Sequence, residues 1–202
     1  MKSLINPPLT LAAIAFVTLS GCATQEKSQM DSGSNTVADC VFPDAPTQAA
    51  PGWICYEPVN GAALTGVGAH ESSSAGVDFT KQMATANARL ELSQRFNTHV
   101  KGLVKNFVET NGTGDMEAVN KVSTVVSEQI TEKTLEGSRI LKTRVSPSGV
   151  YYVLVGLSSS QLQTATDKVI NASIKNNRAL FEPYLNGNDQ NELTKQIAGG
   201  GQ

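Results

Sequence analysis

SRILKTRVSPSGVYYVLVGLS, residues 138–158, reads as a β-hairpin, and its second arm decides the fold. Two alternating, β-branched runs flank Ser146-Pro147-Ser148-Gly149, a cluster of turn-forming residues. In the first arm Lys142 and Arg144 share one face. In the second, Val150, Tyr152, Leu154 and Gly156 oppose Tyr151, Val153, Val155 and Leu157. Side chains alternate across a strand, so the second arm is apolar on both faces. A strand of that kind is central in its sheet, with helices on one side and another covering on the other.

The neighbours of the hairpin supply the helices. After it, Ser158 and Gln161 have the spacing of a capping box, and Leu157 and Leu162 that of a hydrophobic staple. A helix follows with Leu162, Ala165, Val169 and Ala172 on one face. Before it, residues 115–136 carry Val119, Val122, Val126 and Ile130 at helical spacing, in a composition rich in valine and threonine. Residues 77–110 predict the longest helix. Apolar residues fall at 79, 83, 86 and 90, then at 92, 96, 100, 103 and 107, gaps of three and four that define a drifting stripe. Asp78 suits its start and Asn111-Gly112 its stop, and at 1.5 Å per residue it could reach ~50 Å. Upstream, LTGVGAH (64–70) has a short β-like alternation, and Gly66 and Gly68 leave room for a close approach by another element. The expected class is α+β: a small antiparallel sheet with helices packed on one face, in the order β-α-α-β-β-α.

Farther out, the N-terminus carries a different signal. Lys2 precedes a mostly apolar run from Leu9 to Leu19, interrupted upstream by Pro7-Pro8. That run suits a signal peptide and is too short to cross a hydrocarbon core of about 30 Å as a helix. It ends in Leu19-Ser20-Gly21-Cys22, which looks like a bacterial lipobox. Cys22 is then the candidate lipidation site and the first residue of the mature chain. Two or three acyl chains, at ~0.8 kcal/mol per buried CH₂, give a stable membrane anchor. Ala23 follows, where an Asp would signal retention in the inner membrane. The expected location is therefore the outer membrane, lipid-anchored, facing the periplasm or the cell surface.

The organisation follows: signal peptide 1–21, flexible tether 22–39, proline-rich lead-in 40–61, α+β domain 62–182 and mobile tail 183–202. The tether is polar and small, too poor in apolar groups to order itself. In the lead-in, Pro43, Pro46, Pro51 and Pro58 exclude a helix. Trp53, the single tryptophan, is expected to pack on the domain edge. Export places Cys40 and Cys55 in an oxidising compartment, where an even pair most simply forms one disulfide; free thiols are the alternative.

Composition excludes several classes. The net charge is −2, and removal of Lys2 with the signal peptide makes the mature chain more acidic. There is no basic cluster, so nucleic acid is not an expected partner. His70 and His99 lack a ligand set for zinc. Ser72-Ser73-Ser74 is not a nucleophile elbow, and Glu91, Glu109 and Glu117 read as solvated helix surface. No catalytic residue, metal or cofactor is expected.

The order of these parts also carries a resemblance. The lipobox, Pro51-Gly52-Trp53, LTGVGA (64–69), the Ala-rich helix around ATANARLELSQRF (84–96) and the hairpin arm YYVLVGLS (151–158) together resemble the LPP-twenty lipoprotein family of bacterial envelopes. That family includes FlgP-type outer-membrane lipoproteins linked to flagellar rings. The resemblance covers roughly residues 50–175. It implies a compact, non-enzymatic, often self-associating α+β domain, with envelope or flagellar-ring proteins as partners. The doubly apolar strand adds a reason to expect a homo-oligomer, because its second face needs a cover. The other expected role is a periplasmic module that binds a small ligand or lipid in a closed apolar cavity.

Overall fold

The computed structural model describes residues 40–111, 116–130, 135–185 and 190–199. The expected signal peptide, the candidate lipidation site Cys22 and the expected tether lie outside them.

Among the described residues the strands and helices run in the order β1 (Val41–Phe42), β2 (Ala45–Ala49), a 3₁₀ turn (Gly52–Cys55), β3 (Leu64–His70), α1 (Val77–Asn111), α2 (Met116–Glu128), β4 (Arg139–Val145), β5 (Tyr151–Leu157), α3 (Ser159–Asn176), α4 (Arg178–Leu185) and α5 (Gln190–Gly199). The fold is α+β. From β3 to α3 the order is β-α-α-β-β-α as expected, with a short hairpin before it and two helices after it.

The main sheet is antiparallel in the order β3-β5-β4, so the doubly apolar β5 is its central strand. Val153, Val155 and Leu157 join the helices in the larger core. Tyr152 and Leu154, on the other face, pack with Cys40, Phe42, Trp53 and Ile54. The lead-in is thus the second cover of the sheet. The domain closes its own second face, so β5 gives no reason for another copy to do so. Trp53 is buried there, as expected.

Gly66 and Gly68 decide where α1 lies. A methyl at Gly66 would stand 2.4 Å from the Ala88 carbonyl oxygen and 2.5 Å from the Leu92 nitrogen. At Gly68 it would stand 2.1 Å from the Ala88 nitrogen and 2.3 Å from the Ala84 carbonyl oxygen. Helix and strand meet backbone to backbone, with Ala84 and Ala88 fully buried between them.

That contact corrects the first half of the expected stripe. Phe79, Met83 and Leu90 are exposed, while Thr80, Ala84, Thr85 and Ala88 are buried. A seam this narrow accepts only small side chains, so the largest apolar residues are turned out of it. Beyond Leu92 the stripe holds: Phe96, Val100, Leu103 and Phe107 are buried.

A seven-residue strand spans ~23 Å, whereas α1 with its 35 residues spans ~52 Å. Its C-terminal half outruns the sheet and needs another cover. α2 supplies Val119, Val122 and Val126, and the C-terminal helices supply Phe181, Leu185, Leu193 and Ile197. This corrects the expected tail at 183–202. Leu193 and Ile197 are fully buried in the main core, and Pro183 lies inside α4. The domain's packed residues therefore extend on both sides of the expected 62–182. At the start of α3 the capping box forms as its sequence predicts, with the Gln161 N–H donating to Ser158 Oγ and the Ser158 N–H to Gln161 Oε1 at 2.9 Å.

Candidate functional site

The two edges of the sheet are treated differently, and the contrast locates the candidate site. Along the outer edge of β3, α1 lays down three side chains at four-residue intervals. Asn87 Nδ2 donates to the Ala69 carbonyl at 2.9 Å. The Val67 N–H donates to Glu91 Oε2 at 3.2 Å. Arg95 Nη1 donates to the Thr65 carbonyl at 3.5 Å. Four residues of helix rise ~6.0 Å and two residues of strand ~6.7 Å, so the two repeats stay in step over this length. The edge backbone is occupied by side chains and closed to another strand.

Glu91 and Arg95 have further partners. Their side chains pair at 3.2 Å, and the Arg95 guanidinium lies 4.1 Å from the Tyr56 ring centroid. Tyr56 follows the 3₁₀ turn with φ 66°, a left-handed conformation unusual for a bulky residue. Burial and then the adjacent Glu91 push its phenol above the usual range. Glu91 is therefore not the solvated carboxylate expected from sequence. It ties strand, helix and lead-in together. The missed signal was Asn87, Glu91 and Arg95 at i, i+4 and i+8 beside the Ala84/Ala88 seam. Glu109 and Glu117 do sit on exposed helix surface, paired with Lys105 and Lys121 at 3.9 and 2.6 Å.

A second cluster pins the opposite end of the lead-in. Asp44, in the β1–β2 turn, accepts hydrogen bonds from the Ser146 and Ser148 hydroxyls and, at 2.5 Å, from the Tyr152 hydroxyl. Desolvation alone would raise the Asp44 pKa, but the three donors outweigh it and bring it to about 2. Burial and Asp44 push Tyr152 up. Cys40 and Cys55 form the expected disulfide, with Cα atoms 5.8 Å apart. Asp44 thus fastens the lead-in to the hairpin, while the disulfide ties the lead-in to itself.

The remaining flank, around β4, is open. Six of the seven β4 residues are exposed. Ile140 is 39% and Val145 53% exposed. Between β4 and α1 runs a groove of about 520 Å³ bordered by Lys81, Gln82, Thr85, Arg89 and Ile140. A neighbouring hollow of about 650 Å³ shares Ala86 and Arg89 with it and reaches Leu90, which is 61% exposed. These hollows open to the surface; the ligand-binding alternative calls for a closed apolar cavity.

The histidines lie apart from this flank. The His70 Nδ1 is 2.7 Å from the Glu71 carbonyl oxygen, and its ring meets Phe79 edge-on. His99 is half-buried, and burial pushes its pKa down. Among the described residues no three His, Cys, Asp or Glu side chains gather in a metal-ligating cluster. No described helix is long and apolar enough to cross a membrane.

The family model of the LPP20 lipoprotein matches residues 51–158, from Pro51 through the whole of β5 to the Ser158 cap. No curated protein matches the chain. The chain belongs to the LPP20 lipoprotein family, and so to the membrane-associated lipoproteins.

Proposed function

We propose that this LPP20 lipoprotein is held in the outer membrane by acyl chains on Cys22 and acts there as a non-enzymatic interaction module of the cell envelope. The observation that carries the reading is the contrast between the flanks. One edge is closed by Asn87, Glu91 and Arg95, while the other exposes Leu90, Ile140 and Val145 beside an open groove. Apolar groups gathered on one surface of a charged domain favour protein contact over solvent. Residues 23–39 supply the tether; at most ~3.5 Å per residue allows a reach of about 60 Å from the lipid.

The test has two readouts on the full chain in cells. Metabolic labelling with an alkyne fatty acid, followed by separation of the two membranes, should place labelled protein in the outer-membrane fraction. Cys22→Ser should lose both label and membrane. A photo-crosslinking residue at Leu90 or Ile140 should then capture defined envelope proteins, those of the flagellar rings among them. An unlabelled wild-type chain would overturn the anchor. Crosslinks no stronger than those from a residue on the closed β3 flank would overturn the interaction surface.

A further inference from the structure

We infer that the free edge of β4 is a strand-addition site for an acidic, extended segment of a partner protein. The inference rests on the interaction reading above and names its site and the chemistry of its partner.

The edge is available. Among the described residues β4 pairs only with β5. Its register shifts between Ile140 and Lys142, leaving a regular run from Lys142 to Val145 paired with Leu154 to Tyr151. The Ser146 N–H donates to the Val150 carbonyl at 2.9 Å. Backbone groups of an antiparallel ladder alternate in direction. Arg144 and Lys142 therefore share the inward direction of Ser146. Thr143 and Val145 point their N–H and C=O groups away from β5, to where a new strand would bond.

Charge selects the occupant. β4 reads RILKTRV, three cations and no acid, in a chain whose net charge is −2. Lys142 and Arg144 stand opposite Leu154 and Tyr152, on the face of the lead-in. On the other face Lys81 and Arg89 line the groove beside Ile140, with Asp78 at the same groove, so its cations outnumber its acid two to one. An added strand with acidic residues on both faces meets cations on each. A second copy of β4 does not fit: antiparallel self-pairing centred on Lys142 sets Lys142 against Lys142 and Ile140 against Arg144, and like charges directly opposite are unfavourable. The exposed Ile140 and Val145 add apolar contact for β-branched residues in the partner. β3 offers no such site, because α1 already occupies its edge.

The probe is a synthetic eight-residue peptide alternating Val or Thr with Glu, titrated against the full acylated chain in detergent micelles. A Lys-for-Glu peptide and vesicles containing phosphatidylglycerol serve as competitors in class. We expect the acidic peptide to bind at least tenfold tighter than the basic one, with affinity falling as salt rises. The amides of Thr143 and Val145 should exchange at least tenfold more slowly in the complex. Thr143→Pro removes an outward N–H at an edge, where proline is tolerated, and should weaken binding at least tenfold. Arg144→Glu, read independently, should shift preference toward the basic peptide. Equal binding of both peptides, or binding that leaves both amides unprotected, would overturn the site. So would a concentration-dependent dimer abolished by Thr143→Pro, or vesicle binding abolished by Arg144→Glu. These readouts are separate from the labelling and crosslinking above, so a silent β4 edge leaves the anchored interaction module standing.

Discussion

Gly68 and Ala88 meet backbone to backbone: a methyl group on Gly68 would stand 2.1 Å from the Ala88 nitrogen. This contact fixes α1 over β3, which brings Asn87, Glu91 and Arg95 to one edge and leaves β4 bare.

Gly68→Ala is expected to destabilise the domain by about 3 kcal/mol, because both sides of the clash are backbone and neither can turn away. Gly102→Ala is its counterpart. Nothing lies within 4 Å of a methyl there, and the residue sits inside α1, so a gain of about 0.5–1 kcal/mol is expected. Urea denaturation of both variants checks the pair; equal effects would contradict the narrow seam.

Glu91→Ala should cost about 1–2 kcal/mol, by freeing the Val67 N–H and leaving Arg95 without its carboxylate. Hydrogen exchange locates the effect. The Val67 amide should exchange faster in the variant, while amides within α3 stay unchanged.

Asp44 gives the protein an acid-sensitive fastening. Its folded pKa, about 2, lies below the unfolded 3.8. Its contribution is therefore complete above the unfolded value and disappears as pH falls through the folded one. Asp44→Asn should lower stability at neutral pH by about 1 kcal/mol, solvent screening having weakened the carboxylate's hydrogen bonds, and should flatten the loss of stability between roughly pH 4 and pH 2. Denaturation midpoints measured across that range distinguish this from a simple loss of packing, which would shift every pH equally.

Removing the disulfide with Cys40→Ser and Cys55→Ser together should cost about 3 kcal/mol by the chain-entropy argument for a loop of this length. It should also loosen the cover over Tyr152 and Leu154. A rise in binding of a hydrophobic dye, at a denaturant concentration where the wild type binds none, is the expected readout.

Leu193→Ala tests the C-terminal helices. Leu193 is fully buried, so a loss of about 2–5 kcal/mol is expected. A mobile tail would give no change in thermal denaturation.

Some of this was present in single stretches of sequence. The doubly apolar β5, the helical spacing from Leu92 onward, the Ser158–Gln161 box and the room left at Gly66 and Gly68 each depend on residues close in the chain. Local periodicity and capping chemistry determine such features, so sequence alone yields the class and the β-α-α-β-β-α order. The tertiary structure decided the rest. Phe79, Met83 and Leu90 have helical spacing, but the depth of the glycine seam, a property of two elements together, turns them outward. Leu193 and Ile197 read as tail until the unsupported half of α1 gives them something to bury. Asp44 finds its donors more than a hundred residues away. Side chains obey spacing where the neighbour is local, and obey the partner surface where it is distant. That is why α1, α2 and α3 were legible from the sequence, and α5 and the choice of which sheet edge stays open were not.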